Sequence, residues 1–177
     1  MSKQPLEVTE LGDPVLRQVA KPVKDVLAPE IQELIDYMLA TVKEEKGVGL
    51  AAPQVGLSLR LFIVSPEGTQ RYPHCTVNES LVVINPEIKF LNKKTDIDWE
   101  GCLSIPGIRG KVPRNLSIQV SYINRLGENK TETYTDFTAR IFQHENDHLD
   151  GIMFLDRMED PRDLITDKEY MKLFEDE

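Results

Sequence analysis

Only two cysteines, Cys75 and Cys102, occur among the 177 residues of the chain. Two thiols are too few for the disulfide framework that holds many small secreted domains together, and in a cytoplasm they stay reduced. Each cysteine is therefore interpreted as a buried filler, a nucleophile or a metal ligand.

Long apolar segments are missing as well. No run of about 18 apolar residues is present, so the sequence contains no candidate for a membrane-spanning helix. The first residues, MSKQPLEVTELGDP, lack the apolar segment of a secretory signal and carry acidic residues that are unusual in organelle transit peptides. We therefore expect a cytoplasmic protein that does not act at a membrane.

An excess of basic residues is absent too. The net charge is −9, which excludes a generally basic nucleic-acid-binding protein. Hydrophobic residues make up 40% of the chain and charged residues 29%, which is typical of a globular protein. The length suits a single domain over residues 1–177 that buries its own core.

The spacing of apolar residues predicts helices on both sides of a group of short strands. A first helix begins near Pro29 and stops at Gly47. Strands follow at RLFIVS, at LVVIN (closed by Pro86), and in a hairpin of LSIQVSYI and KTETYT around the turn NRLGENK. A second helix starts near Asp136, which is predicted to cap it, and stops at Gly151. The acidic tail predicts a short further helix.

This order of elements predicts an α+β fold. We expect mainly antiparallel sheets of short strands around a central helix, with one helix near each end of the chain. The central helix is the second one, which carries the motif described next.

The stretch QHENDHLDG places His144 and His148 four residues apart on that helix, with Glu145 after the first histidine. Residues at this spacing project from one helix face, so both imidazoles can bind one ion. Metal hydrolases use this H-E-x-x-H pattern with the glutamate as general base. Phe137 and Ile141 continue the stripe, which indicates that the histidines point into the protein. The alternative is an ordinary helix, since chance gives the pattern in on the order of one in a few hundred chains.

A catalytic ion needs a third protein ligand and an open position. One known protease pattern continues with x-x-G-x-x-H, and here Gly151 is present but Phe154 occupies the last position. The third ligand must therefore lie elsewhere. The remaining histidine, His74, stands beside Cys75 in a polar loop, which predicts either a second metal site or a mobile segment.

Cys102 is the stronger candidate because of its setting in EGCLSIPG. Gly101, Pro106 and Gly107 predict a constrained, non-helical segment that would hold a thiolate and backbone N–H groups near an ion. Two alternatives stay open: a buried thiol in a turn, and a cysteine nucleophile paired with a histidine.

A third motif, GVGLAAPQVG, follows the first helix. Gly47 and Gly49 allow another chain to approach the backbone closely, and Gln54 offers an amide donor. The sequence lacks the Gly-Lys-Ser/Thr of a phosphate-binding loop. A tight connection from helix to strand is the alternative interpretation.

Together the segments GVGLAAPQ, EGCLS and HENDH resemble, in order and spacing, those of the peptide deformylase family over roughly residues 8 to 160. The resemblance implies an enzyme that removes the formyl group from N-terminal formyl-methionine of new bacterial proteins. It implies Cys102, His144 and His148 as metal ligands and Glu145 as the catalytic acid and base. It further implies that Gln54 and the backbone N–H of Leu103 stabilise the oxyanion.

The implied reaction also suggests how a peptide is held. The backbone of Gly47, Val48 and Gly49 would pair with an extended substrate as an added strand. An apolar pocket for methionine is predicted to include Val48, Leu50 and Ile141.

Charged residues around the metal motifs are predicted to support the site. Glu100 is predicted to pair with Arg109 or Arg114 and so fix the loop of Cys102, and Asp147 to orient a ligand histidine or bind an arginine. For each of these charges, plain solvent exposure is the alternative interpretation.

The metal and the partners follow from the resemblance. A Cys-His₂ ligand set by itself suggests zinc, whereas the resemblance implies one Fe²⁺ ion per chain, with Zn²⁺ or Ni²⁺ as substitutes.

The expected partners are formyl-methionyl peptides and, in the bacterial cytoplasm, the ribosome near the nascent-chain exit. The acidic C-terminus lacks the basic helix that docks some family members on the ribosome. A metallopeptidase and a non-catalytic metal-binding module are the rival interpretations.

Overall fold

The structure, a computed structural model, describes residues 4–65 and 79–174. His74 and Cys75, for which a second metal site was one prediction, lie outside the described residues. The strands are β1 (Gly49–Ala51), β2 (Leu61–Val64), β3 (Leu81–Phe90), β4 (Thr95–Cys102), β5 (Ile105–Asn115), β6 (Ser117–Ile123), β7 (Asn129–Thr135) and β8 (Leu164–Thr166). The helices are α1 (Pro29–Glu44), α2 (Asp136–Leu149), α3 (Phe154–Arg157) and α4 (Asp167–Lys172).

The strands form two antiparallel sheets. One sheet has the order β1-β2-β3-β6-β7, and the other has the order β4-β5-β8. Helix α2 lies between them, because its apolar residues join the core of the larger sheet while Arg140 bonds the Val112 carbonyl of β5. The predicted α+β class with a central helix is confirmed.

Helix α1 forms where the apolar spacing predicted it. Leu34, Ile35, Met38 and Val42 are buried on one face and pack against the larger sheet. The predicted stop at Gly47 is slightly late, because the helix ends at Glu44 and Lys46 takes the left-handed conformation at φ 51°.

Pro86 does not close its strand, contrary to the prediction. Strand β3 continues to Phe90, because a register shift between Ile84 and Glu87 removes the proline from the regular ladder. Asn85 stands at this irregularity with φ 50°, and its side chain bonds both the N–H and the carbonyl of Val23.

The segment around Cys102 is more regular than the sequence indicated. Strands β4 and β5 form a long hairpin in which Gly101 lies opposite Arg109. The register shifts between Gly101 and Cys102, so Cys102 ends β4 at the tight end of the hairpin. The polar composition of β4 concealed this strand, since much of the strand is exposed.

Helix α2 is buried along nearly its whole length. Asp136 does not cap it as predicted; Thr135 is the cap residue, and Asp136 is the first helical residue, with φ 52°. At the other end Gly151 has φ 72°, and a Cβ there would lie 2.7 Å from the carbonyl oxygen of Arg17. This position therefore requires glycine.

The tail adds β8 to the smaller sheet and then forms α4, so the short helix predicted there is confirmed. Among the described residues, no helix has both the length and the apolar character that a bilayer span requires.

Candidate metal centre

The two histidines of α2 face the same interior space. His144 and His148 are both buried, and their ring centroids lie 4.9 Å apart at 81°. One helical turn separates the two residues, so the helix itself fixes this spacing.

Cys102 approaches these histidines from the end of β4. Its Sγ lies 3.4 Å from Nε2 of His148, and the ligand atoms of Cys102, His144 and His148 all lie within 4.8 Å of one another. A thiolate and two imidazoles are a common donor set for a divalent transition metal. Because Cys102 and His144 also line a pocket, the three residues fit an ion that keeps an open side.

Glu145 supplies a carboxylate to the pocket that Cys102 and His144 line. Its Oε2 is buried and finds no hydrogen-bond partner among the described residues. Burial raises the pKa of Glu145 to about 7, in spite of the nearby His144. A carboxyl group that titrates near neutrality is suited to accept and return a proton.

Gly49 leaves room for this carboxylate. A Cβ at Gly49 would lie 2.2 Å from Oε1 of Glu145, and Gly49 lines the same pocket. Gly49 of the GVGLAAPQVG segment therefore leaves the space that Glu145 of the H-E-x-x-H motif occupies.

The amide of Gln54 is held in one orientation. Its Oε1 accepts a bond from the backbone N–H of Ala51 at 2.8 Å, which directs Nε2 to Ser104 Oγ at 3.2 Å and Cys102 Sγ at 3.4 Å. The site thus has an oriented donor beside the ligand thiol. Sequence reasoning missed Ser104, which is fully buried and lies within the EGCLS segment.

A buried carboxylate orients the first histidine. Oε2 of Glu100 lies 2.9 Å from Nδ1 of His144, which leaves Nε2 of that ring for the metal side. Burial alone would raise the pKa of Glu100, but hydrogen bonds from His144 and Arg114 hold it well below its usual range. Arg140 adds a further contact, Nη1 to Oε1, at 3.0 Å.

Arginines extend this network away from the metal. Arg114 donates Nε to Glu100 at 2.9 Å and Nη1 to Asp147 at 2.6 Å, and Arg157 also binds Asp147. Of the two arginines predicted for Glu100, Arg114 is therefore the one that pairs with it. Asp147 binds arginines, which was one of its two predicted roles. Sequence reasoning missed Arg140 and Arg157; the only available signal was that Arg140 lies one turn before His144 on a buried helix.

The salt bridge of Arg109 runs instead to Asp167, with Nε 2.7 Å from Oδ1. The hairpin places Arg109 opposite Gly101, one position past the glutamate, and the tail pairs with β5 at this point. The predicted pairing of Arg109 with Glu100 is thereby replaced by a contact to a residue that the sequence did not single out.

The pocket in front of these residues has a volume of about 360 Å³. Val48, Ile141 and Leu103 line it, together with the glycines of the first motif. Leu50 does not; it is fully buried in the core beneath α1. Side chains alternate along β1, so the neighbour of the pocket-facing Gly49 points the other way.

Comparison with known proteins gives a consistent result. The family model described as polypeptide deformylase matches residues 5–163. Peptide deformylase 2 of Nostoc sp. strain PCC 7120 is 49% identical over 173 residues, which is 98% of this chain and 97% of that protein.

Solved structures agree. The crystal structure of peptide deformylase from Thermotoga maritima has a TM-score of 0.80 and 39% identity, and covers 89% of this chain and 100% of its own. A Met-Ala-Ser-bound class I type b peptide deformylase from Acinetobacter baumannii has a TM-score of 0.82, at 39% identity, with the same coverage of both chains.

Proposed function

Since this chain belongs to the polypeptide deformylase family, we propose that Cys102, His144 and His148 hold its metal ion and that Glu145 is its acid and base. Family membership makes the protein a metal-dependent hydrolase that removes the N-terminal formyl group from nascent polypeptides. The observation that carries the residue assignment is the gathering of the three ligand atoms within 4.8 Å, beside the unpartnered carboxylate oxygen of Glu145.

The reaction is the hydrolysis of a formamide. Water adds to the formyl carbon, the bond from that carbon to nitrogen breaks, and formate and a free amine leave. A divalent ion held by these ligands would lower the pKa of a bound water and polarise the formyl carbonyl.

Glu145 is the general base and general acid of this reaction. It accepts one from the attacking water and returns it to the leaving nitrogen. Its carboxylate is buried and lines the same pocket as Cys102 and His144, and in the metal-free protein this burial raises its pKa to about 7.

Gln54 and the backbone N–H of Leu103 would stabilise the negative charge that develops on the formyl oxygen. Gln54 Nε2 is already oriented beside Cys102 by the bond from Ala51. A preplaced donor of this kind is worth roughly 3 kcal/mol in comparable acyl-transfer sites.

The substrate would lie along Gly47, Val48 and Gly49. β1 is an end strand of the five-stranded sheet, so no strand of the described residues pairs with its other edge, and an extended peptide could add there. Val48 and Ile141 would contact the methionine side chain from the pocket wall.

Ferrous iron is our proposal for the native metal, with Zn²⁺ or Ni²⁺ as substitutes. Two imidazoles and a thiolate suit each of these ions, so the donor set agrees with the proposal without selecting among them. Metal analysis after anaerobic purification tests it, and a zinc-only protein would contradict it.

We further propose that residues 1–177 act as one catalytic domain in the bacterial cytoplasm, near the nascent-chain exit of the ribosome. The substrate supports this location, because formylated N-termini first appear there. Co-sedimentation with ribosomes tests the association.

The function is tested by formate release from formyl-Met-Ala-Ser, with unformylated Met-Ala-Ser as the matched control. Met-Ala-Ser is the peptide bound in the Acinetobacter baumannii structure. We expect formate from the first peptide and no cleavage of the second. Cleavage of internal peptide bonds would instead indicate a metallopeptidase.

A further inference from the structure

A short segment near the N-terminus, residues 9–11, bonds two of the motifs that form the site. The N–H of Thr9 donates to the backbone carbonyl of Gln54 at 2.8 Å, and the N–H of Leu11 donates to the backbone carbonyl of Ser104 at 2.8 Å. Two residues of chain reach at most about 7 Å, which limits the distance between the two donors. The segment therefore holds Gln54 close to Ser104, although 50 positions separate them in the sequence.

This segment is itself anchored on both sides. Upstream of it, the N–H of Leu6 donates to Oγ1 of Thr41 in α1 at 2.8 Å. Downstream of it, the side chain of Leu16 is buried in a cluster with Ile105, against which Cys102 also packs. Because both flanks are attached to other parts of the fold, the two N–H groups of the segment have fixed positions relative to the site.

The same two motifs also meet through side chains. Ser104 is fully buried, and its Oγ lies 3.2 Å from Nε2 of Gln54. The oxygen of the same amide accepts the N–H of Ala51 at 2.8 Å. Leu103, whose N–H is the second proposed oxyanion donor, directly precedes Ser104. Each bond from residues 9–11 therefore acts on a residue that carries one of the proposed donors or adjoins it.

The relative position of the two donors matters for the proposed reaction. A donor stabilises an oxyanion when it lies about 2.7–3.1 Å from the place that the developing charge will occupy. Two donors from separate motifs must satisfy this condition at one oxygen atom, so an error in their separation weakens at least one of the bonds. Misplacement of a group by about 1 Å can cost about 100-fold in rate.

We propose that residues 9–11 are a positioning segment that, together with Ser104, fixes the amide of Gln54 relative to the N–H of Leu103. These residues act through the two donors and are not themselves catalytic. The inference rests on the proposed function, because the donors are those assigned to deformylation.

Thr9→Pro tests the segment directly. Proline lacks the N–H, and its ring would stand against the carbonyl of Gln54. We expect kcat for formyl-Met-Ala-Ser to fall by about 10-fold or more, with KM within about 2-fold, because an oxyanion donor acts in the transition state. Glu10→Pro is the matched control, since Glu10 lies between the two donors and contributes neither bond. Its kcat should equal that of the unchanged enzyme, and all variants should hold the same amount of metal.

A second background separates positioning from general distortion. Gln54→Met removes the amide donor and keeps a side chain of similar length. In this background Thr9→Pro should lower kcat by less than about 3-fold further, because the donor that it would displace is already absent. A variant that merely distorts the fold would lower kcat by the same factor in both backgrounds.

Ser104→Ala keeps the proposal testable if Thr9→Pro does not fold. It removes the Oγ partner of the Gln54 amide and leaves the backbone bonds in place. We expect kcat to fall several-fold at nearly constant KM, and we expect no further fall when Ser104→Ala is combined with Gln54→Met.

Three results would each overturn the proposal: equal kcat in Thr9→Pro and Glu10→Pro, the same loss from Thr9→Pro with and without the Gln54 amide, or full turnover in Ser104→Ala. Failure of the proposed function would look different, because the unchanged enzyme would then release no formate. If formate is released and only these comparisons fail, the deformylase activity stands and the positioning role of residues 9–11 falls.

Discussion

The carboxylate of Glu145 occupies the space that a side chain on Gly49 would need. A Cβ there would lie 2.2 Å from Oε1, far inside contact distance. These two residues come from different motifs, and their fit explains why the first motif needs a glycine beside the metal centre.

Gly49→Ala is therefore expected to displace Glu145 and lower kcat by about 100-fold or more, since misplacement of a catalytic group by 1 Å has effects of this size. Formate release measures the loss. Gly47→Ala is the matched control, because a Cβ there would meet its nearest neighbour at 3.3 Å and should cost much less. Equal activities in the two variants would contradict the close fit.

Glu145→Gln should retain the metal and lose turnover. The amide keeps the size of the side chain but cannot accept the proton, and loss of a general base costs about 10²- to 10⁴-fold. Metal content and formate release are measured on the same sample. Turnover equal to that of the unchanged enzyme would defeat the proposed role.

Cys102→Ser should release the ion or weaken its binding strongly, because a serine hydroxyl is a much poorer ligand than a thiolate for these metals. Cys75→Ser is the matched control and should keep one ion per chain. Titration with a chelator measures both affinities. Full retention of metal by Cys102→Ser would show that the third ligand is another residue.

Arg114→Met is expected to lower the free energy of unfolding by about 3 to 5 kcal/mol, because it leaves Glu100 and Asp147 buried without a principal partner. The side chains of Arg114 and Glu100 are both 5% exposed. Urea denaturation measures the change. Arg162→Met, at a largely exposed salt bridge, should leave the urea denaturation curve nearly unchanged.

The pH dependence of the metal-free protein follows from Glu145. Burial raises its pKa to about 7, so the carboxyl is protonated below that pH and ionises as the pH rises through it. A divalent cation nearby favours the ionised form, so metal binding should lower the pKa and release a proton. Carbon NMR of labelled glutamate, with Glu145→Gln for assignment, measures both. An apparent pKa near 4.5 without metal would contradict the effect of burial.

Elements with a regular local pattern were predictable from sequence. The apolar stripes of α1 and α2 and the alternation in β6 depend only on neighbouring residues, and these elements appear where they were expected. The sequence wrongly ended β3 at Pro86, because a bulge lets the strand continue past the proline. It did not predict β4, because pairing with β5 overrides the local preference of these residues.

The candidate site likewise contains an arrangement that the sequence predicts and contacts that it does not predict. The sequence by itself determined that His144 and His148 share one face of a buried helix, with Glu145 one step round it, because a helix places residues four apart on the same face. Only the tertiary structure decided that Cys102 meets the two histidines, that Glu100 pairs with Arg114, and that Arg109 forms a salt bridge with Asp167. These contacts join strands and a tail that are distant along the chain, and the register of the β4-β5-β8 sheet sets them. Local periodicity carries no information about that register.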